Sequence, residues 1–274
     1  MKQDLPFPTQ NQSRVAAAWA VHAFTATGVM LGLFALFATL EGHRLNAFLW
    51  LGVALFVDGI DGSLARRFHV RELTPHFDGA TLDNVVDYTT YTFIPALMVY
   101  HFGMVPQGWG VVAACFIALT SLYCFANTNM KTSDYYFQGF PAVWNIVVLY
   151  LHILRTPEWI NLAIIALCGV LTFVPWKYVH PLRVARFRPA TIAATVVWCF
   201  TSFWLIFDAE KLAHPAISDP LVFTIWIAST LYFGVICALR TVVEPAGTAV
   251  VPVAPQKVPT GQDADHDNEA AVQH

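Results

Sequence analysis

Four aspartates stand inside stretches that are otherwise apolar. LGVALFVDGIDGSLARRF (residues 51–68) carries Asp58 and Asp61, and DGATLDNVVDYTTYTF (residues 78–93) carries Asp83 and Asp87. Separations of three and four residues put each pair on one face of a helix. An Asp at the centre of a membrane helix costs about 2.5–3.5 kcal/mol, so four uncompensated ones would oppose insertion by roughly 10–14 kcal/mol. Arg66, Arg67 and Arg71 are near enough in sequence to offset part of that charge. Two facing carboxylate pairs also make an oxygen-rich cage suited to hard divalent cations, and carboxylates on facing helices can bridge two of them. The bland alternative is that the acids line a solvated mouth. Four acids in two pairs favour the functional reading, because intramembrane acids default to sites.

Small residues share these faces. Gly62 lies four residues beyond Asp58, Ala65 four beyond Asp61, and Gly79 four before Asp83. Absent side chains beside a cation cage leave room for a flat or bulky ligand to reach the backbone. Close helix packing explains small residues equally well, and spacing alone leaves both readings open. Gly59 fits packing better.

The elements that must position these residues are membrane helices. The chain has 274 residues, 57% of them hydrophobic and 12% charged, with mean hydropathy +0.54. That is about half the charge of a soluble domain. Apolar windows predict an all-α polytopic bundle of about eight crossings, at residues 15–40, 46–68, 78–101, 108–127, 140–155, 158–176, 189–208 and 220–240. Only Arg155, Pro157 and Glu158 separate the fifth from the sixth, so six or seven crossings are the alternative. Residues 1–14 read as a polar N-terminus without the order of a secretory signal. Residues 15–243 read as one membrane domain and 244–274, rich in Pro, Ala and acids, as a disordered tail. The five cysteines lie in apolar stretches at no metal or disulfide spacing and are expected in the core.

With eight spans, one side holds Lys2, Arg14, Arg66, Arg67, Arg71, Lys131, Lys177, Arg183, Arg186, Arg188, Arg240 and Lys257; the other holds Arg44, Arg155 and Lys211. The positive-inside rule then sets both termini and the Asp58–Arg66 region at the cytoplasm. A net charge of −3 without a basic face excludes a nucleic-acid partner.

As a string, Asp58-x-x-Asp61-Gly62-x-x-Ala65-Arg66 followed by Gly79-x-x-x-Asp83-x-x-x-Asp87 resembles the signature of the CDP-alcohol phosphatidyltransferase family, with all eight fixed positions present. The resemblance spans roughly the first six helices, the family core, and leaves two more. It implies transfer of a substituted phosphate from a CDP-linked donor to an alcohol, with CMP leaving. It further implies two divalent ions, Mn2+ or Mg2+, on Asp58, Asp61, Asp83 and Asp87, and Asp87 as the catalytic base. CDP-diacylglycerol would be bound by Gly62, Ala65, Arg66 and Gly79, and the family implies a homodimer in the bacterial inner membrane.

Twelve residues, RFHVRELTPHFD, separate Arg66 from Gly79, more than in most members. With TLDNVVDYTTYTFIPA and DYYFQGFPAVWN further on, this spacing resembles the choline-using bacterial subgroup, the phosphatidylcholine synthases. A quaternary ammonium offers no N–H donor, so its recognition needs aromatic faces, with or without a carboxylate. Tyr88, Tyr91, Asp134, Tyr135, Tyr136, Trp144 and Asn145 are the acceptor candidates, although Tyr and Trp also gather at membrane interfaces for other reasons. Arg66 suits the donor diphosphate bidentately, while Arg67 and Arg71 fit lipid phosphates. The run KYVHPLRVARFRP can hold a phosphate or simply obey the charge rule. His69 and His76 in the twelve-residue insert can tune metal or acceptor access or, as such histidines more often are, simply be solvated, and His22 and His152 show no ligation pattern. Serine, inositol or glycerol phosphate as acceptor, and a cation transporter, are the competing functions; a transporter would carry a second copy of the Asp pairs, which the sequence lacks.

Overall fold

The computed structural model describes residues 9–127, 136–179, 187–211 and 214–243. Among these described residues eight apolar helical stretches follow one another, as the hydropathy windows predict, and the chain is a polytopic helical membrane protein. α1 (Thr9–Leu40) and α2 (Arg44–Arg67) form an antiparallel pair across a three-residue turn. Gly42 makes that turn possible: its φ of +79° is open to glycine, and the His43 amide closes back on the Ala38 carbonyl at 2.8 Å. α1 begins six residues before the apolar window because its first turns, TQNQSR, are polar and helical beyond the apolar stretch.

The insert after Arg66 is ordered by its own small cluster. A one-turn helix, α3 (Val70–Leu73), buries Val70 against Ala18 and Val21 of α1, with Leu64, Ala65 and Leu73 beside them. The next residues cap the helix that carries two of the four acids. Asp78 accepts from the Ala80 and Thr81 amides and from the Thr81 hydroxyl, satisfying donors that every helix start leaves open. The helix then runs as α4 (Gly79–Asp87), a π-helical turn (Tyr88–Phe93) and α5 (Ile94–His101).

α6 (Gly110–Ala126), α7 (Trp144–Leu154) and α8 (Glu158–Leu171) are shorter. At about 1.5 Å per residue, α7 and α8 fall short of a 30 Å hydrocarbon core. A left-handed Arg155 (φ +48°) and Pro157 separate them, which decides for two helices over one. Their outer ends are joined by an antiparallel strand pair the sequence analysis did not foresee, β1 (Tyr136–Gln138) with β2 (Lys177–Val179), pairing Phe137 with Tyr178. Gly139 (φ +86°) is required beside it, since a Cβ there would stand 2.3 Å from the Thr172 carbonyl oxygen.

α9 (Arg188–Glu210) and α11 (Pro220–Val243), with the short α10 (Pro215–Ser218) between them, are tied to α7 through Tyr150. Its ring stacks on Trp226 at 4.5 Å, and its hydroxyl accepts from Trp198 Nε1 and bonds Thr230. Trp144, Trp226, Ile94, Met98 and Ile117 form the fully buried centre. Outward, Phe56, Leu119 and Phe200 are each at least 66% exposed, a surface stable only against lipid. Cys115 and Cys199 are also exposed, so these two face outward and not into the core as expected; a helix apolar all round gives no cue to its buried side. The three basic residues of the sparse side are all engaged. Arg44 donates to the Phe102 carbonyl, Arg155 to those of Ala209 and Lys211, and Lys211 pairs with Asp208 at 3.0 Å.

Candidate metal and active site

α2 and the α4–π–α5 helix bring three of the four acids together. Asp58, Asp83 and Asp87 each present a carboxylate oxygen within 4.8 Å of the others, the one such metal-competent group among the described residues. Three carboxylates at that separation, with Asp87 Oδ1 buried and without a hydrogen-bond partner, fit a divalent cation: a buried acceptor normally has a donor, and a hard ion supplies what is missing. Asp61 lies one turn on along α2 and is 6% exposed, outside that tight group.

The remaining motif residues surround the cluster differently. Arg66 is exposed at the end of α2, its guanidinium donating to Ser63 Oγ at 3.1 Å. Gly62 is partly exposed. Ala65 packs in the small cluster under α3. Gly79 meets His22: a Cβ at this glycine would lie 2.8 Å from His22 Cε1, and His22 is in turn held by Thr74 Oγ1 at 2.9 Å and by the Phe77 ring.

A profile of the CDP-alcohol phosphatidyltransferases matches residues 19–174, more than half of the chain. The chain belongs to that family. It is 45% identical to the phosphatidylcholine synthase of Pseudomonas aeruginosa over 84% of its own length and 94% of that protein. The phosphatidylcholine synthase of Rhizobium meliloti is 38% identical over 85% and 94%, and that of Borreliella burgdorferi 36% identical over 70% and 82%.

In this CDP-alcohol phosphatidyltransferase the acceptor candidates among the described residues each have a partner within the protein. Tyr88, on the π-helical turn beside Asp87, is partly exposed; its hydroxyl donates to the Ala118 carbonyl at 3.3 Å and its ring meets Phe125 edge-on. Tyr91 is buried, and its hydroxyl donates to Asp58 Oδ2 at 2.5 Å. Trp144 is wholly buried, with Nε1 donating to Ser121 Oγ at 2.8 Å and Phe140 against its ring, so it presents no open face. Asn145 is buried, its side-chain oxygen accepting from the Ile146 amide. Asp134 and Tyr135 lie outside the described residues, as do Lys131, Arg183, Arg186 and the 244–274 tail, and the Tyr136 side chain is likewise undescribed.

Sequence reasoning missed the role of Tyr91 as a partner of Asp58. A signal was present. Pro95 cannot donate to the Tyr91 carbonyl four residues earlier and its ring crowds it, so the α-helical register cannot continue unbroken through Tyr91. The wider turn sits immediately upstream, where π-turns often mark functional sites.

Proposed function

We propose that this enzyme transfers the phosphatidyl group of CDP-diacylglycerol to choline, giving phosphatidylcholine and CMP. The carrying observation is the Asp58–Asp83–Asp87 cluster with its orphaned buried oxygen, standing on the family's own motif; choline as acceptor is supported by the names of the relatives. Asp58, Asp61, Asp83 and Asp87 would hold two divalent cations, Mg2+ or Mn2+ by their hard-oxygen preference, which when bound neutralise the donor's nonbridging phosphate oxygens.

The chain's own groups do the rest. Arg66, exposed at the end of α2, would donate two parallel N–H bonds to the diphosphate in place of its bond to Ser63, and Gly62 leaves the donor access beside the acids. Asp87 accepts the choline hydroxyl proton as that oxygen bonds the phosphorus bearing diacylglycerol. The bond from this phosphorus to the CMP oxygen breaks, and CMP carries away the electron pair. Of the described aromatic candidates, Tyr88, next to Asp87 in sequence, is the one with a partly exposed side chain, which supports it for the ammonium.

Residues 15–243 form the single membrane domain of this reading. The twelve-to-three distribution of basic residues supports an inner-membrane protein with both termini and the acids at the cytoplasm, and the family resemblance supports a homodimer. The deciding assay is CMP release by the detergent-purified protein given CDP-diacylglycerol with choline, serine, inositol or glycerol phosphate. Choline should be the fastest acceptor, with turnover abolished by chelation. A faster rate on another alcohol overturns the acceptor and leaves the family chemistry standing.

A further inference from the structure

Tyr91 spans two helices. It sits in the π-helical turn, is 8% exposed, and places its hydroxyl 2.5 Å from Oδ2 of Asp58 on α2, thirty-three residues away in sequence. A carboxylate offers about four lone-pair directions on two oxygens. A donor fixed on Oδ2 therefore sets the plane of the group and directs its remaining lone pairs. The donor's chemistry matters as much as its position. A guanidinium or ammonium on Asp58 would cancel the charge that attracts a cation, whereas a phenol orients the carboxylate and leaves that charge in place.

The surrounding backbone is built to keep the hydroxyl there. The π-helical turn carries both Asp87 at its threshold and Tyr91 within it, and Thr89 and Thr90 hydroxyls bond the Val85 and Val86 carbonyls at 2.8 and 3.1 Å. Below it Ile94, Ala96, Met98 and Val99 lock α5 into the core. With its hydroxyl engaged and its ring enclosed, Tyr91 has no free face for a quaternary ammonium.

We propose that Tyr91 is a positioning residue for the cation-binding carboxylate of Asp58, and not part of the choline site. The inference rests on reading the acid cluster as a metal site. Partners of this kind, which orient a ligand without touching the ion, typically contribute ten- to hundredfold to metal affinity or activity.

The test is Mn2+ titration of the full-length protein in detergent, without substrates, followed by the electron paramagnetic resonance of free Mn2+. Tyr91→Phe should raise the Mn2+ dissociation constant about ten- to hundredfold. Turnover at low Mn2+ should fall, recover as Mn2+ is raised, and show an unchanged KM for choline once Mn2+ saturates. A cage role gives the opposite pattern: Tyr91→Phe keeps the ring and binds Mn2+ as wild type does, and only Tyr91→Leu raises the choline KM. A dissociation constant for Tyr91→Phe within twofold of wild type overturns the proposal. Asp58→Asn guards against a general loss of structure. Adding Tyr91→Phe to it should change Mn2+ binding no further, and an equal additional loss overturns action through Asp58. If the wild type binds no Mn2+, the metal reading falls and this inference with it. If it binds Mn2+ but ignores choline, only the acceptor is wrong and the Mn2+ comparison still decides.

Discussion

Gly79 admits two readings in the sequence, an approach for the nucleotide or a packing contact, and the structure supplies the magnitude that separates them. An Ala Cβ at this position would stand 2.8 Å from His22 Cε1 and 3.3 Å from its Nδ1. Ordinary contact begins near 3.4 Å, so the imidazole must retreat by about 0.6 Å. It has little room to do so, because Thr74 Oγ1 holds its Nε2 at 2.9 Å, Phe77 lies edge-on at 4.5 Å and Trp19 at 5.6 Å. Overpacking of this kind costs about 1–3 kcal/mol. Gly79 is the first residue of its helix, where the usual advantage of Ala over Gly, at most about 1 kcal/mol, is smallest. Gly79→Ala should therefore lose about 1–2 kcal/mol of stability, read by thermal or denaturant unfolding in detergent. His22→Ala removes the obstructing ring, so in that background Gly79→Ala should cost almost nothing, a coupling a double-mutant cycle measures directly. The reasoning is refuted if Gly79→Ala is as stable as wild type yet raises the KM for CDP-diacylglycerol, by the same factor with or without His22.

Asn in place of Asp58, Asp83 or Asp87 should lower turnover at least hundredfold, since each keeps the shape of the cluster and removes one charge; full activity in any of the three dismisses the metal site. Tyr88→Leu should raise the choline KM about two- to thirtyfold with the KM for CDP-diacylglycerol nearly untouched. Trp144→Ala should instead cost about 3–5 kcal/mol of stability and leave the choline KM alone, and a choline effect at Trp144 without destabilisation would return it to the acceptor site. Asp78 is held below the ordinary carboxylate range, first by the Thr81 hydroxyl and then by the Thr81 and Ala80 amides. A depressed folded value means the cap's contribution is complete above the unfolded value near 4 and is lost as pH falls through the lower folded one. The stability gap between wild type and Asp78→Ala should hold at pH 7 and shrink as acid protonates the group; a gap that survives full protonation contradicts the capping account.

The acids and the helices were legible because both are local. A charge inside twenty apolar residues is costly wherever the helix lies, and a spacing of three or four fixes a face before any fold is known. The eight apolar windows survived for the same reason, with errors at their ends. Residues 140–143 were predicted as helix, but the backbone there follows a left-handed Gly139 and a strand pair whose other half lies forty residues on. Pairing across that distance leaves no mark in a hydropathy window.

The acceptor residues were harder to read, and for a physical reason. Aromatics near a membrane interface satisfy the same composition whether they face a ligand, lipid or the core, and only packing distinguishes Tyr88 from Trp144. Tyr91 shows the limit most clearly. Its ring type suggested an ammonium cage, whereas its position, four residues after Asp87 and four before Pro95, contained the better clue. Proline at that distance removes the hydrogen bond that would complete an α-turn, and the helix is π-helical just before it, where it passes the acids. What a side chain can touch is decided by its backbone register as much as by its chemistry. In a helix carrying metal-competent carboxylates, an interior proline bears on the site itself, because the register it disrupts is the one on which the carboxylates and their partners are arranged.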